Sequence, residues 1–298
     1  MIHGIINVYK EKGYTSHDVV AKLRGILKQK KIGHTGTLDP DAEGVLPVCL
    51  GKGTKLCDML TEDKKTYQAI LLLGKSTDTQ DVSGEVLKEA PVTCTIKDVY
   101  EAIQSFVGDY QQVPPMYSAL KVGGKKLYEL AREGKEVERE ARPVYIEQIL
   151  IHEICLPRVS MTVTCSKGTY IRTLCHDIGR KLGCGGCMEQ LLRTQVGRFH
   201  IEDSLRLREI EILTGISQIQ EHIIPVDRMF EEYPAVIIRR EEQKYVENGN
   251  PFYRRQIVNR PDLSGDMQVR VYDEDREFYA VYQFREKENR FVPVKMFR

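Results

Sequence analysis

The sequence of 298 residues lacks long hydrophobic segments and has no excess of charge of either sign. No window approaches the roughly 18 consecutive apolar residues that a membrane helix requires, which excludes a helical membrane protein. The N-terminal segment MIHGIINVYKEKG reaches polar residues too early for a signal peptide, so we expect a soluble, cytoplasmic protein. With 44 basic and 43 acidic residues the net charge is only +1, and global electrostatics therefore indicates no particular partner.

The sequence also has little that indicates a metal or a cofactor. Most of the eight cysteines are scattered beside apolar residues, as buried reduced thiols are. Cys184 and Cys187, with Cys175 and His176 upstream, have metal-like spacing, but no second pair of ligands has comparable spacing. No glycine-rich nucleotide-binding loop is present. We therefore predict free thiols in a glycine-rich turn, a reducing compartment, and neither metal nor cofactor.

Hydrophobic periodicity divides the chain into a mixed part and a strand-rich part. After Pro225, short runs such as AVIIR, MQVRVY, FYAVYQF and RFVPVKMF alternate with turn segments, which predicts a small all-β domain. Before Pro225, helical and strand-like patterns alternate. In chain order these predict a strand over 2–9, a helix capped at Thr15 or Ser16 and running to about residue 31, a strand over 66–73, a helix over 96–107, paired strands over 144–156 and 159–165, and a helix over 170–182.

One turn has the character of a reactive site. The segment GHTGTLDPDAEGVLPVCLG, residues 33–51, places Asp39 between Gly36 and an apolar run. Pro40 stiffens this turn and biases Asp39 towards an extended conformation. A carboxylate held in this way suits nucleophilic or general-base chemistry. Asp and Pro are also ordinary turn residues, however, so local chemistry by itself favours a structural turn.

A run of basic residues leads into this turn. Between Val19 and Leu38 no acidic residue occurs. A charge run is usually a solvated helix face, but one that ends beside Asp39 is also well placed to hold a phosphate backbone. The run contains Lys22, Arg24, Lys28, Lys30 and Lys31.

The segment around Asp39 resembles the catalytic motif of the TruB family of tRNA pseudouridine synthases. The resemblance covers most of residues 1–230, and residues 233–298, with YVENGN, are more weakly similar to the PUA-type RNA-binding domain of that family. Residues 9–13 read YKEKG where the family commonly has Asp-Lys-Pro-x-Gly, which makes the placement of Lys10 less secure. Further motifs follow the family order: TSHDVV at 15–20, KTYQA at 65–69, LGKSTDTQDVSGE at 73–85, QQVPPMYSALKVGGKKLYELAREG at 111–134 and SKGTYIRTLCHDIG at 166–179.

The resemblance implies an α+β fold and a defined reaction. The pseudouridine synthase-like catalytic domain, residues 1–230, would have a mixed, largely antiparallel sheet, and residues 231–298 would form a small all-β, PUA-like domain. The implied activity flips a uridine out of folded RNA and isomerises it to pseudouridine at position 55, in the T loop of tRNA. No metal or cofactor is needed for this isomerisation. We expect a stand-alone, monomeric bacterial-type enzyme that requires no protein partner.

The resemblance also implies roles for individual residues. Asp39 is the essential carboxylate, and it could attack C6 of the uracil, act at C1′ of the ribose, or remove the ribose 2′ proton. Arg172 pairs with Asp39, and Tyr170 orients that pair. Tyr67 stacks on the target base and serves in deprotonating C5 after reattachment. The remaining residues would bind the base or the RNA: His34 fills the space of the extruded nucleotide, Leu191 or Leu192 lines the pocket, Lys22, Lys30 and Lys31 hold the backbone, and Lys121 lies in a segment that folds over the RNA.

Three other functions compete with this interpretation. Within the family, the guide-RNA-dependent archaeal and eukaryotic branch works with partner proteins and carries a larger terminal RNA-binding domain. A non-catalytic RNA-binding or RNA-folding protein could retain the same scaffold. An RNA N-glycosylase would use similar base flipping but release free uracil, so the mass of the treated RNA separates it from an isomerase.

Overall fold

A nine-stranded sheet forms the centre of the chain in the computed structural model, which describes residues 1–259 and 261–298. Its main path has the order β1-β3-β12-β4-β11-β10-β7, with β2 paired to β3 and β13 paired to β12. Two small hairpins, β5-β6 and β8-β9, lie outside it. The strands are β1 Gly4–Lys10, β2 Ile32–His34, β3 Glu43–Leu50, β4 Lys65–Leu73, β5 Lys75–Thr77, β6 Val86–Glu89, β7 Gly108–Gln112, β8 Lys121–Val122, β9 Lys125–Lys126, β10 Arg142–Cys155, β11 Arg158–Cys165, β12 Gly186–Val196 and β13 Phe199–His200.

The sheet is mixed and largely antiparallel, as predicted. Its one parallel pairing joins β12 to β3, where Leu192 is opposite Glu43; the others are antiparallel. Alternate residues of β4 are buried, because successive side chains in a strand point to opposite faces. The helices of this part are α1 Ser16–Ile26, α2 Cys57–Thr61, α3 Ile96–Gln104, α4 Leu127–Arg132, α5 Ile171–Lys181 and α6 Leu207–Gly215.

Helix α1 begins where the sequence predicts but ends earlier. Thr15 caps its N-terminus and forms a capping box with Asp18. The helix ends at Ile26, and Lys28 adopts a left-handed conformation with φ 50°. The predicted continuation to about residue 31 is therefore wrong, because Ile32 pairs with Leu50 in the sheet and the chain must first leave the helix.

The C-terminal part forms a separate five-stranded sheet with the order β14-β16-β17-β18-β15. Aromatic side chains fill its core; the rings of Phe252 and Phe291 stack with centroids 4.5 Å apart. The predicted short strands are confirmed: the elements are β14 Ala235–Ile237, α7 Gln243–Glu247, β15 Phe252–Tyr253, β16 Met267–Tyr272, β17 Phe278–Arg285 and β18 Arg290–Met296. Together with the mixed sheet, they confirm the α+β fold.

An apolar cluster joins the two sheets. Ile5 of β1 and Val45 of β3 pack in one buried cluster with Val281 of β17 and Phe297. The ammonium of Lys55 also donates to the carbonyl of Met296 at 3.0 Å.

In residues 1–259 and 261–298, no helix combines the length and apolar character needed to cross a membrane.

Candidate active site

Asp39 lies in the turn between β2 and β3, and its neighbours on both sides are anchored to other parts of the chain. The amide of Leu38 donates to the hydroxyl of Ser16 at 2.9 Å. The carbonyl of Pro40 accepts a hydrogen bond from the amide of Gly13 at 2.9 Å. These contacts tie the turn to α1 and to the loop after β1, so the Asp39 carboxylate is held on a rigid support.

Lys10 provides a further anchor beneath the turn. Its side chain is fully buried, and its ammonium donates to the carbonyls of Tyr14 at 2.6 Å, Pro40 at 3.1 Å and Glu11 at 3.2 Å. Glu11 in place of the family's proline therefore leaves Lys10 in contact with the Asp39 turn. Burial lowers the pKa of Lys10 to about 8, although nearby carboxylates oppose this shift.

Replacing Lys10 with methionine is expected to destabilise the fold by about 1–3 kcal/mol, because three carbonyls lose their shared donor. Between pH 8 and 10.5 the unfolded chain binds a proton at Lys10 that the folded chain has lost. The free energy of unfolding of the wild type, relative to that of Lys10→Met, should therefore rise across that pH window by on the order of 1–3 kcal/mol. Urea unfolding at several pH values measures both effects. Lys12→Met, at an exposed position, is the control; a pH-independent difference would contradict the prediction.

Arg172, in the first turn of α5, forms a two-pronged ion pair with Asp39. Its Nε lies 2.9 Å from Oδ2 of Asp39, and its Nη2 donates to Oδ1 at 3.3 Å. The Arg172 side chain is 6% exposed, whereas the Asp39 side chain is 41% exposed. Such bidentate geometry fixes the orientation of a carboxylate as well as its charge. One partner is thus deep in the protein while the other remains open to an incoming molecule.

The guanidinium of Arg172 also contacts groups other than Asp39. Nη1 donates to the carbonyl of Thr79 at 3.0 Å, and Nη2 donates to the carbonyl of Tyr117 at 2.8 Å. The carboxylate of Asp81 lies 3.8 Å from Nη1. Asp81 itself accepts from the hydroxyl of Thr79 at 2.7 Å. The guanidinium is therefore held from several sides, and Asp39 is only one of its partners.

Burial and charge act in opposite directions on Asp39. Desolvation raises the pKa of its carboxyl above the ordinary value, and the negative charge of Asp81 adds to this effect. The Arg172 guanidinium and Lys10 lower the same pKa. Because desolvation prevails in this balance, the Asp39 carboxylate is more basic than an exposed aspartate, which suits a group that must attack carbon or take a proton.

Tyr67 lies on β4 and is buried, with 9% of its surface exposed. Its cross-strand neighbour on β12 is Arg193, which is only 2% exposed. The Arg193 guanidinium donates from Nε to the carbonyl of Val45 at 2.7 Å and from Nη1 to the carbonyl of Thr37 at 3.5 Å. Burial raises the pKa of the Tyr67 phenol, and the positive charge of Arg193 opposes this. Arg193 thus connects the Asp39 turn to the strand that carries Tyr67.

Tyr170 and His34 lie near the paired residues along the chain, Tyr170 just before α5 and His34 at the end of β2. Tyr170 is the residue before α5, two positions from Arg172, and burial raises the pKa of its phenol. His34 ends β2, and its Nδ1 accepts from the amide of Gly36 at 3.4 Å. The His34 ring also makes an edge contact with His17, at a centroid distance of 5.1 Å. Burial lowers the pKa of His34, and the charge of His17 adds to this effect.

The predicted RNA-contacting residues differ in their placement. Leu191 of β12 is opposite Ala69 and packs on the apolar cluster that contains Tyr67. The lysines are exposed. Lys22 lies on α1, whereas Lys30 and Lys31 lie in the turn after it, and Lys121 lies in the β8-β9 hairpin. The structure thus brings Leu191 close to the predicted catalytic residues and distributes the lysines over three separate surface elements.

The cysteines do not form a metal centre within the described residues. Over residues 1–259 and 261–298, no group of three or more His, Cys, Asp or Glu side chains could hold a metal ion. Cys184 and Cys187 are buried free thiols.

The chain matches two family models, which together cover residues 24–231. A model described as TruB family pseudouridylate synthase (N terminal domain) matches residues 24–171, and one described as tRNA pseudouridylate synthase B C-terminal domain matches residues 172–231. Over 99% of its length the chain is 51% identical to tRNA pseudouridine synthase B of Lachnoclostridium phytofermentans, all of which is covered. The chain belongs to the TruB family. The resemblance drawn from the sequence motifs is confirmed.

Other TruB-family relatives match over similar lengths. The protein named tRNA pseudouridine synthase B of Alkaliphilus oremlandii is 44% identical, with 100% of this chain and 98% of the relative covered. Among solved structures, a chain of a Cbf5-Nop10-Gar1 complex superimposes with a TM-score of 0.72 at 27% identity. That match covers 99% of this chain and 85% of the other. The similarity to these relatives therefore extends over the C-terminal sheet as well as the central one.

Sequence reasoning did not single out Asp81 or Arg193 as parts of this TruB-family site. Asp81 lies within the motif LGKSTDTQDVSGE, but that segment also contains Asp78, and nothing local distinguishes the two carboxylates. Arg193 lies in a strand between Leu192 and Thr194, where a charged residue reads as exposed. Its burial follows from the β12-β4 pairing, which no local signal shows.

Proposed function

We propose that the chain is a stand-alone tRNA pseudouridine synthase that isomerises the uridine at position 55, in the T loop. The observation that carries the proposal is the bidentate Asp39–Arg172 pair, in which a half-open carboxylate sits on a rigid turn. The names of the relatives, tRNA pseudouridine synthase B, support tRNA as the substrate.

The proposed reaction conserves every atom of the nucleotide. The bond from N1 of uracil to C1′ breaks, the base turns over, and a bond forms between C5 and C1′; C5 then loses its proton and N1 gains one. Asp39 would act on C6, on C1′ or on the ribose 2′ proton, and its raised pKa suits each of these roles. Tyr67, beside the site, would stack on the base and assist the removal of the C5 proton.

The target uridine must leave the RNA stack, at a cost of a few kcal/mol. We propose that Leu191 and Tyr67 offset this cost by packing on the flipped base, while His34 occupies the vacated space. Lys22, Lys30, Lys31 and Lys121 would bind phosphates. We also propose that residues 1–230 form the catalytic domain, that residues 231–298 form a PUA-like RNA-binding domain, and that the enzyme works as a monomer in the cytoplasm without a protein partner.

The test is incubation of the purified protein alone with an unmodified tRNA transcript, followed by carbodiimide-based mapping of pseudouridine. We expect a single modified site in the T loop, without guide RNA or added protein. Modification only outside the T loop would contradict the proposed specificity. Mass spectrometry of the same sample distinguishes an N-glycosylase, which would release uracil, from an isomerase, which leaves the RNA mass unchanged.

Replacing Tyr67 with phenylalanine is expected to lower kcat by about 10²-fold, because a proton-transfer group is lost while the ring that stacks on the base remains. The Kd for tRNA should stay close to the wild-type value. Single-turnover kinetics and filter binding measure the two quantities. Tyr100→Phe, on the exposed face of α3, is the matched control; equal activity of the two variants would show that the Tyr67 hydroxyl has no role.

A further inference from the structure

Gln112 makes an unusual contact with the backbone beside the ion pair. It is the last residue of β7 and is 1% exposed. Its Nε2 donates to the carbonyl of Tyr170 at 3.0 Å, and its Oε1 accepts from the amide of Tyr170 at 2.8 Å. One side chain therefore binds both polar backbone groups of a single residue, 58 positions away in sequence.

The residue held in this way precedes the helix that carries Arg172. Tyr170 is the N-cap of α5, and its own side chain makes no capping hydrogen bond. Arg172 lies two residues later, so the position of Tyr170 determines the point from which the Arg172 side chain leaves the backbone. A helix start without a side-chain cap has unsatisfied amides and is free to shift unless another group holds it.

The loop that follows Gln112 contacts the guanidinium of Arg172. The loop after β7 carries Tyr117, whose carbonyl accepts from Nη2 of Arg172 at 2.8 Å. Nη2 also donates to Asp39. The segment from Gln112 to Tyr117 therefore contacts the Arg172 region twice, at the backbone before the helix and at the tip of the side chain.

We propose that Gln112 is a positioning residue for the Asp39–Arg172 pair. It holds the first turn of α5 at the place from which both prongs of Arg172 reach the carboxylate. Gln112 acts through Tyr170 and Arg172, since its side-chain hydrogen bonds are to the backbone of Tyr170. The inference rests on the proposed function, because it assigns Gln112 a part in that reaction.

A loss of this contact should affect chemistry more than binding. Reacting groups that are misplaced by about 1 Å can lose about 10²-fold in rate. A weakened Arg172 contact would also allow the pKa of Asp39 to rise, since Arg172 lowers it. In the pH profile of kcat, activity falls on the acid side because Asp39 becomes protonated and inactive. This acid limb should then move to higher pH.

The test compares Gln112→Met with Gln111→Met, its exposed neighbour on β7. We expect Gln112→Met to lower kcat by about 10- to 10²-fold, to leave KM for tRNA unchanged, and to shift the acid limb upward. Gln111→Met should match the wild type in all three. Gln112→Glu keeps the acceptor for the Tyr170 amide and loses the donor, so it provides the measurement if Gln112→Met does not fold.

A double mutant establishes the route of the effect. If Gln112 acts through Arg172, then Gln112→Met combined with Arg172→Lys should be no slower than Arg172→Lys alone. Fully additive losses, or a wild-type kcat and pH profile in Gln112→Met, would overturn the inference. Wild-type protein that forms no pseudouridine in tRNA would instead overturn the proposed function, so the two failures are distinguishable.

Discussion

Replacing Asp39 with asparagine is expected to reduce pseudouridine formation by roughly 10⁴-fold or more, because an amide can neither attack carbon nor accept a proton at neutral pH. Asparagine has nearly the same shape and also suits a turn, so the Ser16 and Gly13 contacts that anchor the turn should persist. Binding of tRNA should therefore remain. Release of tritium from tRNA labelled at C5 of uridine measures the reaction, and filter binding measures the affinity.

Asp41→Asn is the matched control for this variant. Asp41 lies two residues further along the same turn and is exposed, and we expect its replacement to leave the rate unchanged. Continued conversion of uridine by Asp39→Asn would show that the proposed mechanism is wrong. If conversion stops while tRNA binding persists, any remaining improvement in tRNA folding would reveal a second, non-catalytic role of the protein.

Replacing Arg172 with lysine is expected to lower kcat by about 10²–10³-fold, with little change in KM, because the forked contact with Asp39 is lost although the charge is kept. The pKa of Asp39 should rise, since Arg172 lowers it in the wild type. Asp39 must be ionised to act, so the acid limb of the kcat profile should move to higher pH. Steady-state kinetics from about pH 5 to about pH 9, the range in which carboxylates of raised pKa titrate, measure both effects.

Arg180→Lys on the same helix controls for the change of residue type. The Arg180 side chain is 74% exposed and pairs with Asp177, away from Asp39. We expect its kinetics to match the wild type. An Arg172→Lys variant with an unshifted acid limb would show that Arg172 does not control the ionisation of Asp39. The free energy of unfolding of each variant, from urea titration, separates an effect on catalysis from one on folding.

Much of the fold could be predicted because its signals are local. The capping box of Thr15 and Asp18 involves residues three apart, and it correctly marks the start of α1. Short strand-like runs bounded by turn residues mark the strands of the C-terminal sheet in the same way. The end of α1 could not be predicted from periodicity, because the pairing of Ile32 with Leu50 across the sheet draws the chain out of the helix.

The site shows the same division. Its motif and the stiffness of Pro40 single out Asp39, and the resemblance of GTYIRT to a family motif singles out Arg172. Nothing local indicates that the amide of Gln112 binds the backbone of Tyr170, or that Arg193 is buried behind Tyr67. A glutamine and an arginine in strands are ordinarily exposed, and only the packing of neighbouring elements removes them from water.

The sequence by itself determined the family motifs, the turn of Asp39 that Pro40 stiffens and the order of most helices and strands, because each depends on residues that are close together in the chain. Only the tertiary structure decided which groups surround the guanidinium of Arg172. Its partners Asp39, Thr79 and Tyr117 lie 133, 93 and 55 residues away. Strand order and register bring such distant groups together, and hydrogen bonding of buried charges selects among them.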